Sequence, residues 1–139
     1  MRWTLCIAVI ALSSLGVTPT AVGQETNSAT GDQNPDLMVA VSLSAFTARV
    51  GDTVTETQSV TNNTAGDLFV TAVTTLTYPN GKTASRTEQF LLAAGGVATQ
   101  SLTYTIDKSY QRGTYTLTLT ANDGGATPST ASVRLAITK

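Results

Sequence analysis

The sequence contains no histidine, one cysteine and one tryptophan among its 139 residues. Without histidine, a Ser-His-Asp or Cys-His nucleophile is excluded, and so are the usual zinc and copper sites. The cysteine, Cys6, and the tryptophan, Trp3, both lie near the N-terminus. The remainder of the chain therefore contains no residue for a disulfide, and no indole for stacking on a sugar ring.

Charge is also scarce, because Asp, Glu, Lys and Arg together make up only 12% of the chain. Nucleic acid and anionic lipid are recognised by clustered basic residues, and this chain has no such cluster. The basic residues outside the termini are scattered: Arg49, Lys82, Arg86, Lys108, Arg112 and Arg134. We therefore exclude nucleic acid as a partner and expect no cofactor.

The N-terminal segment predicts a secretory signal peptide over residues 1–23. Arg2 precedes an apolar run from Leu5 to about Val17, and small residues follow at Ala21 and Gly23, before a cut at Gln24. The run is too short to span a bilayer, although an uncleaved anchor remains an alternative. A lipoprotein is rejected because Cys6 stands at the beginning of the apolar run. We expect a secreted or periplasmic protein with no membrane span after cleavage.

The rest of the chain divides at Leu37. Residues 24–36 are polar and lack aliphatic side chains, which is typical of a flexible linker. Residues 37–139 alternate apolar and polar side chains with a period of two, and no window sustains helical spacing. Turn-forming residues separate seven predicted strands, at 37–46, 53–61, 68–78, 82–90, 98–106, 114–121 and 130–138. The pattern predicts an all-β fold, an immunoglobulin-like antiparallel β-sandwich of about seven strands.

Threonine is abundant, with 27 in the chain. In the segment TYTLTLT, Thr114, Thr116, Thr118 and Thr120 alternate with Tyr115, Leu117 and Leu119. Because neighbouring side chains of a strand point to opposite faces, the threonines are predicted to cover the solvent face of the sixth strand. Surface or ice binding by such a threonine array is an alternative, although it requires a flat sheet and immunoglobulin-like sheets twist.

Glu56 breaks the apolar pattern of the second strand. It shares the inward parity with Gln58 and with two valines, so a regular strand directs a carboxylate toward the core. Three hypotheses resolve this conflict. A β-bulge switches the face midway, Glu56 lies at the sheet rim opposite Arg86 or Arg134, or Glu56 belongs to a polar pocket or interface.

Two further chemistries stay open from the residues alone. Glu56 and Glu88 are a candidate carboxylate pair for a secreted hydrolase, if the fold brings them together. Calcium is an alternative that the sequence does not indicate, because no Asp-x-Asp-x-Asp spacing concentrates the carboxylates. The aspartates in predicted turns, for which turn chemistry is the simpler interpretation, are Asp36, Asp52, Asp67, Asp107 and Asp123.

The run from Gly113, with Tyr115, Leu117 and Leu119, resembles the sixth strand of bacterial immunoglobulin-like and fibronectin-type-III-like domains of the cell-adhesion-related type. VGDTVTETQSVTNNT, from Val50, is similar to their second strand, and LTYPNGKT, from Leu76, to the exit of their third. The resemblance implies no catalytic or ligand residues. It also implies that Tyr115 forms a tyrosine corner, in which its hydroxyl bonds to nearby backbone.

We therefore expect an exported noncatalytic module, not an enzyme, that binds a protein or cell-surface partner through loops or edge strands. The loops 61–67 and 107–113 are the candidate binding regions. The candidate binding residues are Tyr110, Arg112, Asn62, Asn63 and Glu56. Asn62 also begins a formal N-glycosylation sequon, Asn62-Asn63-Thr64.

Overall fold

The computed structural model describes residues 33–139. The predicted signal peptide, and the predicted linker up to residue 32, lie outside the described residues. The described part contains eight strands: β1 (Leu37–Leu43), β2 (Thr47–Ala48), β3 (Thr53–Asn62), β4 (Leu68–Thr77), β5 (Thr83–Leu92), β6 (Val97–Thr105), β7 (Gly113–Asn122) and β8 (Ser129–Ile137). None of the described residues belongs to a helix long and apolar enough to cross a membrane.

The strands form a three-stranded sheet, in the order β1-β3-β6, and a five-stranded sheet, in the order β2-β8-β7-β4-β5. All neighbours are antiparallel except the short parallel pair β2 and β8. The predicted all-β immunoglobulin-like sandwich is confirmed. The seven expected strands become eight because the predicted strand 37–46 ends at Leu43, and the chain then forms a separate short strand, β2, in the other sheet.

The division between β1 and β2 closes one lateral side of the sandwich. Ser44 makes the last bonds to β3, since its N–H donates to the Thr55 carbonyl at 2.8 Å and its hydroxyl accepts from the Thr55 N–H at 2.8 Å. The chain then crosses to β8, where the Ala136 N–H donates to the Phe46 carbonyl at 2.8 Å. The opposite side has no crossing strand in the described part, so β5 and β6 are left as edges.

The inward side chains form two apolar clusters. The larger one includes Leu37, Val60, Val70 and Leu119, and the smaller one contains Ala48, Val54, Ile106, Tyr115 and Ile137. The strand β3 contributes Val54 to the smaller cluster and Val60 to the larger one. The two inward residues between them are Glu56 and Gln58, so a polar layer separates the clusters along this strand.

The threonines of β7 occupy the outer face, as predicted, and Tyr115, Leu117 and Leu119 are buried on the inner face. Two of these threonine hydroxyls pair with hydroxyls of the neighbouring strand β8. Thr118 Oγ1 lies 2.9 Å from Ser132 Oγ, and Thr120 Oγ1 lies 3.2 Å from Thr130 Oγ1. Such cross-strand hydroxyl pairs add stability to a sheet. Some hydroxyls of the threonine face are therefore already hydrogen-bonded within the sheet, so the face is not a free array of donors.

The turn between β4 and β5 contains Asn80 and Gly81, two residue types that can adopt positive φ. Only Gly81 has a positive φ, of +80°, and its N–H donates to the Tyr78 carbonyl at 2.9 Å. Pro79 fixes its own φ near −65°, which suits the first central position of an ordinary turn. The chain therefore turns through Pro79 and Asn80, and Gly81 takes the left-handed position that follows.

Candidate functional site

A buried polar network occupies the layer between the two apolar clusters. Glu56 is only 4% exposed. Its Oε2 accepts a 2.6 Å hydrogen bond from the Tyr104 hydroxyl, and its Oε1 accepts one from Gln58 Nε2. Thr74 Oγ1, from the facing sheet, donates to Gln58 Oε1 at 3.0 Å. The network therefore links β6, β3 and β4, and it gives each buried polar atom a partner.

The first two hypotheses for Glu56 are wrong. The register of β3 with β6 runs without interruption from Thr53 to Thr61, so no bulge switches the face. Neither arginine is paired with Glu56: Arg86 bonds to Glu88, and Arg134 is exposed on β8. The carboxylate is instead held by neutral donors inside the sandwich, which corresponds to the polar-pocket hypothesis.

The network also determines the acidity of Tyr104. Burial, and then the hydrogen bond to Glu56, raise the pKa of Tyr104 well above its ordinary value of 10.0. Both effects favour the neutral phenol, because a phenolate here would lie beside a carboxylate in a poorly solvated region. The phenol therefore stays a donor to Glu56 throughout the physiological range.

Two cavities flank the polar layer. One, of about 60 Å³, is lined mainly by apolar and aromatic side chains, with Glu56, Tyr104, Tyr110 and Tyr115 among them. The other is a cleft of about 310 Å³ between the edges β5 and β6. Its lining combines the polar residues Gln58, Thr74, Glu88 and Gln100 with apolar neighbours such as Phe90.

The candidate carboxylate pair does not share a cavity. Glu56 lines the smaller cavity, and Glu88 lines the cleft. Each carboxylate is also occupied, Glu56 by Tyr104 and Gln58, and Glu88 by Arg86. A glycosidase-type mechanism needs both carboxyl groups to face one scissile bond. This arrangement offers no such position.

Asn62 is a structural residue rather than a surface ligand, which corrects its assignment as a binding residue. It is 0% exposed. Its Nδ2 donates to the carbonyls of Gly66, Leu92 and Ala93 at 2.8, 3.1 and 3.0 Å. Its Oδ1 accepts from the N–H of Thr64 at 2.9 Å. The side chain therefore ties the β3–β4 loop to the end of β5, and it is not accessible as a glycosylation acceptor in the folded protein.

Asn63 is exposed and contacts the segment before β1. Its Nδ2 donates to the Pro35 carbonyl at 2.9 Å, and its N–H donates to the Asp36 carbonyl at 2.9 Å. Gln33 and Asn34 are bonded in turn to β8, through Thr130 O and Ser129 Oγ, both at 2.7 Å. These bonds bring residues 33–36 of the predicted linker onto the sandwich.

The tyrosine corner implied by the resemblance is present. The Tyr115 hydroxyl accepts a 2.8 Å hydrogen bond from the Gln111 N–H. Tyr110 packs against the Tyr115 ring, with centroids 6.1 Å apart, and is half-buried in the smaller cluster. Burial raises the pKa of Tyr110. Tyr110 is therefore partly a core residue, whereas Arg112 is exposed in the same loop.

The predicted binding residues do not converge on one surface. Asn62 and Asn63 lie at the end of β3, while Tyr110 and Arg112 lie in the β6–β7 loop, near the start of β3. The ten residues of β3 separate the two groups by about 30 Å. Glu56 is inside the sandwich between them.

Three turn aspartates accept backbone hydrogen bonds, Asp52 and Asp123 within their own turns and Asp67 from the β5–β6 loop. Asp52 accepts from the Arg49 N–H, Asp67 from the Ala94 N–H and Asp123 from the Gly125 N–H, at 2.8 to 3.0 Å. Hydrogen bonds from Ser109 lower the pKa of Asp107. No group of three or more potential metal ligands occurs among residues 33–139. Turn chemistry, as predicted, accounts for Asp52, Asp107 and Asp123, whereas Asp67 joins the β3–β4 loop to the β5–β6 loop.

Sequence reasoning missed a set of exposed apolar residues at the end of the sandwich that carries Asn62. Phe69 and Leu91 are register partners on the outer face of the five-stranded sheet, 59% and 66% exposed. Val97 and Met38 flank Thr61 on the outer face of the other sheet. We call Phe69 and Leu91, which share one outer face, the apolar end, because Val97 and Met38 lie on the opposite outer face of the sandwich. The signal was the consecutive apolar triplets around Phe69 and Leu91, because one member of each must face outward.

The sheet order, the tyrosine corner and the filled interior define an immunoglobulin-like β-sandwich module. Within that class, the CARDB family model matches residues 34–130, and the chain belongs to the CARDB family. This confirms the resemblance to cell-adhesion-related immunoglobulin-like domains, a noncatalytic type. A comparison with curated proteins finds no match.

Solved structures share the fold at low identity. The CARDB domain of a Pyrococcus furiosus protein, in complex with di-metal ions, is 13% identical with a TM-score of 0.57, over 74% of this chain and 88% of that one. The Pseudomonas fluorescens alkylpurine DNA glycosylase AlkC is 10% identical with a TM-score of 0.56, over 75% of this chain. A β-glucosidase of Erythrobacter marinus is 11% identical with a TM-score of 0.51, over 73%. This chain spans only 31% and 15% of the last two chains.

Proposed function

We propose that this protein is an exported, noncatalytic immunoglobulin-like module that binds a protein partner, free or on a cell surface, through its apolar end. Export is supported by the N-terminal segment, whose charge, apolar run and small residues are those of a secretory leader. Membership of the CARDB family supports a module that binds rather than catalyses.

The observation that carries the binding role is the exposure of Phe69 and Leu91 side by side on an outer face. Adjacent exposed apolar side chains, and aromatic ones in particular, are frequent at protein interfaces. Nothing in the fold requires these residues to be apolar, since the interior is already filled by Leu68, Val70, Phe90 and Leu92 from the same strands.

Export is tested by expressing the full chain in a bacterial host and fractionating the cells. We expect the protein outside the cytoplasm, and intact-mass measurement to show a chain that begins at Gln24. A chain that keeps residues 1–23 inside the cytoplasm would contradict the proposed export. An exported chain that keeps the leader would favour the uncleaved anchor.

Binding is tested by capture from the exported and cell-surface fractions with three forms of the protein. We expect wild type to capture a partner, Leu91→Asp to lose it, and Val50→Asp to retain it. Val50 is a matched control, because it is 53% exposed and lies in the turn before β3, at the opposite end of the sandwich. Equal capture by Leu91→Asp and wild type would exclude the apolar end as the binding surface.

A further inference from the structure

Among residues 33–139, no strand pairs with the outer side of β6, so this edge strand presents a continuous row of unpaired backbone groups. At its ends, the Gly96 carbonyl accepts from the Asn62 N–H, and Ile106 exchanges bonds with Gly51 and Asp52 at 2.7 and 2.8 Å. Antiparallel strands alternate the side to which their N–H and C=O point, so even-numbered β6 residues bond to β3. The groups of the odd-numbered residues, from Val97 to Thr105, therefore face away from the sheet over about 30 Å.

Within the part of the chain that the structure describes, the strand β6 lacks the usual protection of an edge. Natural edges are protected by charge, proline, bulges, shortness or a covering element. The edge β5 carries inward Arg86 and Glu88, β2 has only two residues, and β1 packs against β8 and β7. The sequence of β6, VATQSLTYT, has no charge and no proline, and its pairing with β3 contains no bulge. It is the edge best suited to pairing with another strand.

We propose that β6 pairs antiparallel with β6 of a second copy of this chain. The two-fold axis passes between the Ser101 residues of the two copies. Ser101 is the middle residue of the nine, so this register pairs the whole strand with itself. Odd-numbered residues stand opposite odd-numbered ones, and even-numbered residues opposite even-numbered ones. The inner faces of the two copies therefore continue into each other, and so do the outer faces. The result is a six-stranded sheet in the order β1-β3-β6-β6-β3-β1.

The side chains of β6 fit this self-pairing. Small Ala98 stands opposite large Tyr104 of the second copy on the inner face, and Thr99 stands opposite Thr103 on the outer face. The outer pairs are of the kind that β6 already makes with β3, where Thr103 and Ser101 hydroxyls lie 3.1 Å from those of Thr55 and Thr57. No like charges meet, because the strand is uncharged. An isologous contact of this kind closes as a dimer.

The dimer goes beyond the proposed function, because it uses the side of the sandwich and requires neither export nor the partner at the apolar end. Sedimentation equilibrium of the purified protein tests it. We expect a monomer–dimer equilibrium in wild type. Ser101→Lys places two ammonium groups opposite each other on the axis, and we expect it to weaken the dimer at least about tenfold. Ser101→Glu should act likewise, and an equimolar mixture of the two variants should associate again.

The matched control is Ser85→Lys, an exposed serine on the other edge, β5, which should dimerise like wild type. Residue-resolved amide exchange provides a second measurement that needs no variant. On raising the wild-type concentration, the N–H groups of Thr99, Ser101 and Thr103 should slow, while those of Gln100 and Leu102 are protected already.

Three outcomes would overturn the proposal. Wild type is monomeric at every concentration, or its dimer survives Ser101→Lys, or the dimer forms while the odd-numbered amides still exchange rapidly. A monomeric wild type that captures a different protein, and loses it on Ser101→Lys, would assign the edge to another chain. The Leu91→Asp capture test is unaffected by any of these results.

Discussion

Glu56 places a carboxylate between two apolar clusters, and its neighbours determine what that burial does to stability. A buried charge without partners is strongly destabilising, whereas one held by several donors is tolerated. Here Tyr104 and Gln58 supply the donors, and Thr74 fixes the orientation of Gln58. The polar layer is therefore a unit in which the loss of one donor affects the others.

Replacement of Tyr104 by phenylalanine tests this dependence. It removes the hydroxyl that bonds Glu56, so we expect the free energy of unfolding at neutral pH to fall by about 1–3 kcal/mol. Urea denaturation followed by circular dichroism gives the value. Tyr110→Phe is the control, because that hydroxyl has no hydrogen-bond partner among the described residues, and it should have little effect. Equal losses in both variants would contradict the role of the network.

The contribution of Tyr104 to the free energy of unfolding is expected to depend on pH in the alkaline range. The pKa of this tyrosine is raised in the folded protein, so above the unfolded value of 10.0 the unfolded chain loses the phenolic proton first. The Tyr104 contribution to stability is therefore complete below pH 10 and declines above it. We expect the stability difference between wild type and Tyr104→Phe to shrink from pH 8 to pH 11. A constant difference would show that the hydroxyl does not titrate as described.

At the scale of elements, loops are fixed by single residues that bond across strand ends. Asn62 joins the β3–β4 loop to the end of β5, and Gly113 opens β7 beside Pro79 of the β4–β5 turn. Both residues determine where a strand begins or ends, and neither belongs to the apolar interior. Substitutions there should act on strand placement rather than on core packing.

Asn62→Ala removes an amide that satisfies three carbonyls and accepts from Thr64. We expect a loss of about 2–4 kcal/mol, because buried backbone groups lose their partners. Asn63→Ala, one residue away and exposed, should cost less than about 1 kcal/mol. Thermal denaturation of the two variants compares them directly, and similar melting temperatures would refute the structural role of Asn62.

Gly113→Ala combines two unfavourable effects. The residue has φ +122°, and a Cβ atom would lie 2.8 Å from Pro79 Cβ. Gly124→Ala is the control, since Gly124 has φ +90° but open space around the added atom. We expect Gly113→Ala to be the more destabilising variant by about 1–2 kcal/mol, measured by urea denaturation. A larger loss at Gly124 would contradict the contact with Pro79.

At the scale of the whole molecule, the sandwich formed by residues 33–139 is closed on one side and open on the other. The switch from β1 to β2 covers the closed side, and residues 33–36 add bonds there to β8 and to the β3–β4 loop. The open side carries the cleft and the unpaired edges of β5 and β6. This asymmetry places residues 33–36 on the closed side of the sandwich.

A comparison of two N-terminal truncations tests where the folded unit begins. A chain starting at Leu37 loses the bonds of Gln33 and Asn34 to β8, and it exposes Ser129, which donates to the Leu37 carbonyl. We expect it to be about 1–3 kcal/mol less stable than a chain starting at Gln33. Equal stability in denaturant would place the boundary at Leu37, as the composition alone predicts.

Local patterns in the sequence determined seven of the eight strands and their inner faces. Alternation with a period of two assigns Tyr115, Leu117 and Leu119 to the interior whatever the partner strand is, because side-chain direction in a strand is a local property. The Tyr115 hydroxyl bond was instead implied by the family resemblance that the motif at Gly113 carries. These features needed no knowledge of which strands are neighbours.

Only the tertiary structure decided which strands share a sheet, where β1 ends and what surrounds Glu56. Glu56 is bonded by Tyr104, which is 48 positions away in the sequence, and by Gln58, which is two positions away. Gln58 is itself held by a hydrogen bond from Thr74 of the other sheet. The separation of Asn62 from Tyr110, and the free edge of β6, also follow from strand order. Strand order depends on long-range pairing, and a local alternation of side chains does not contain that information.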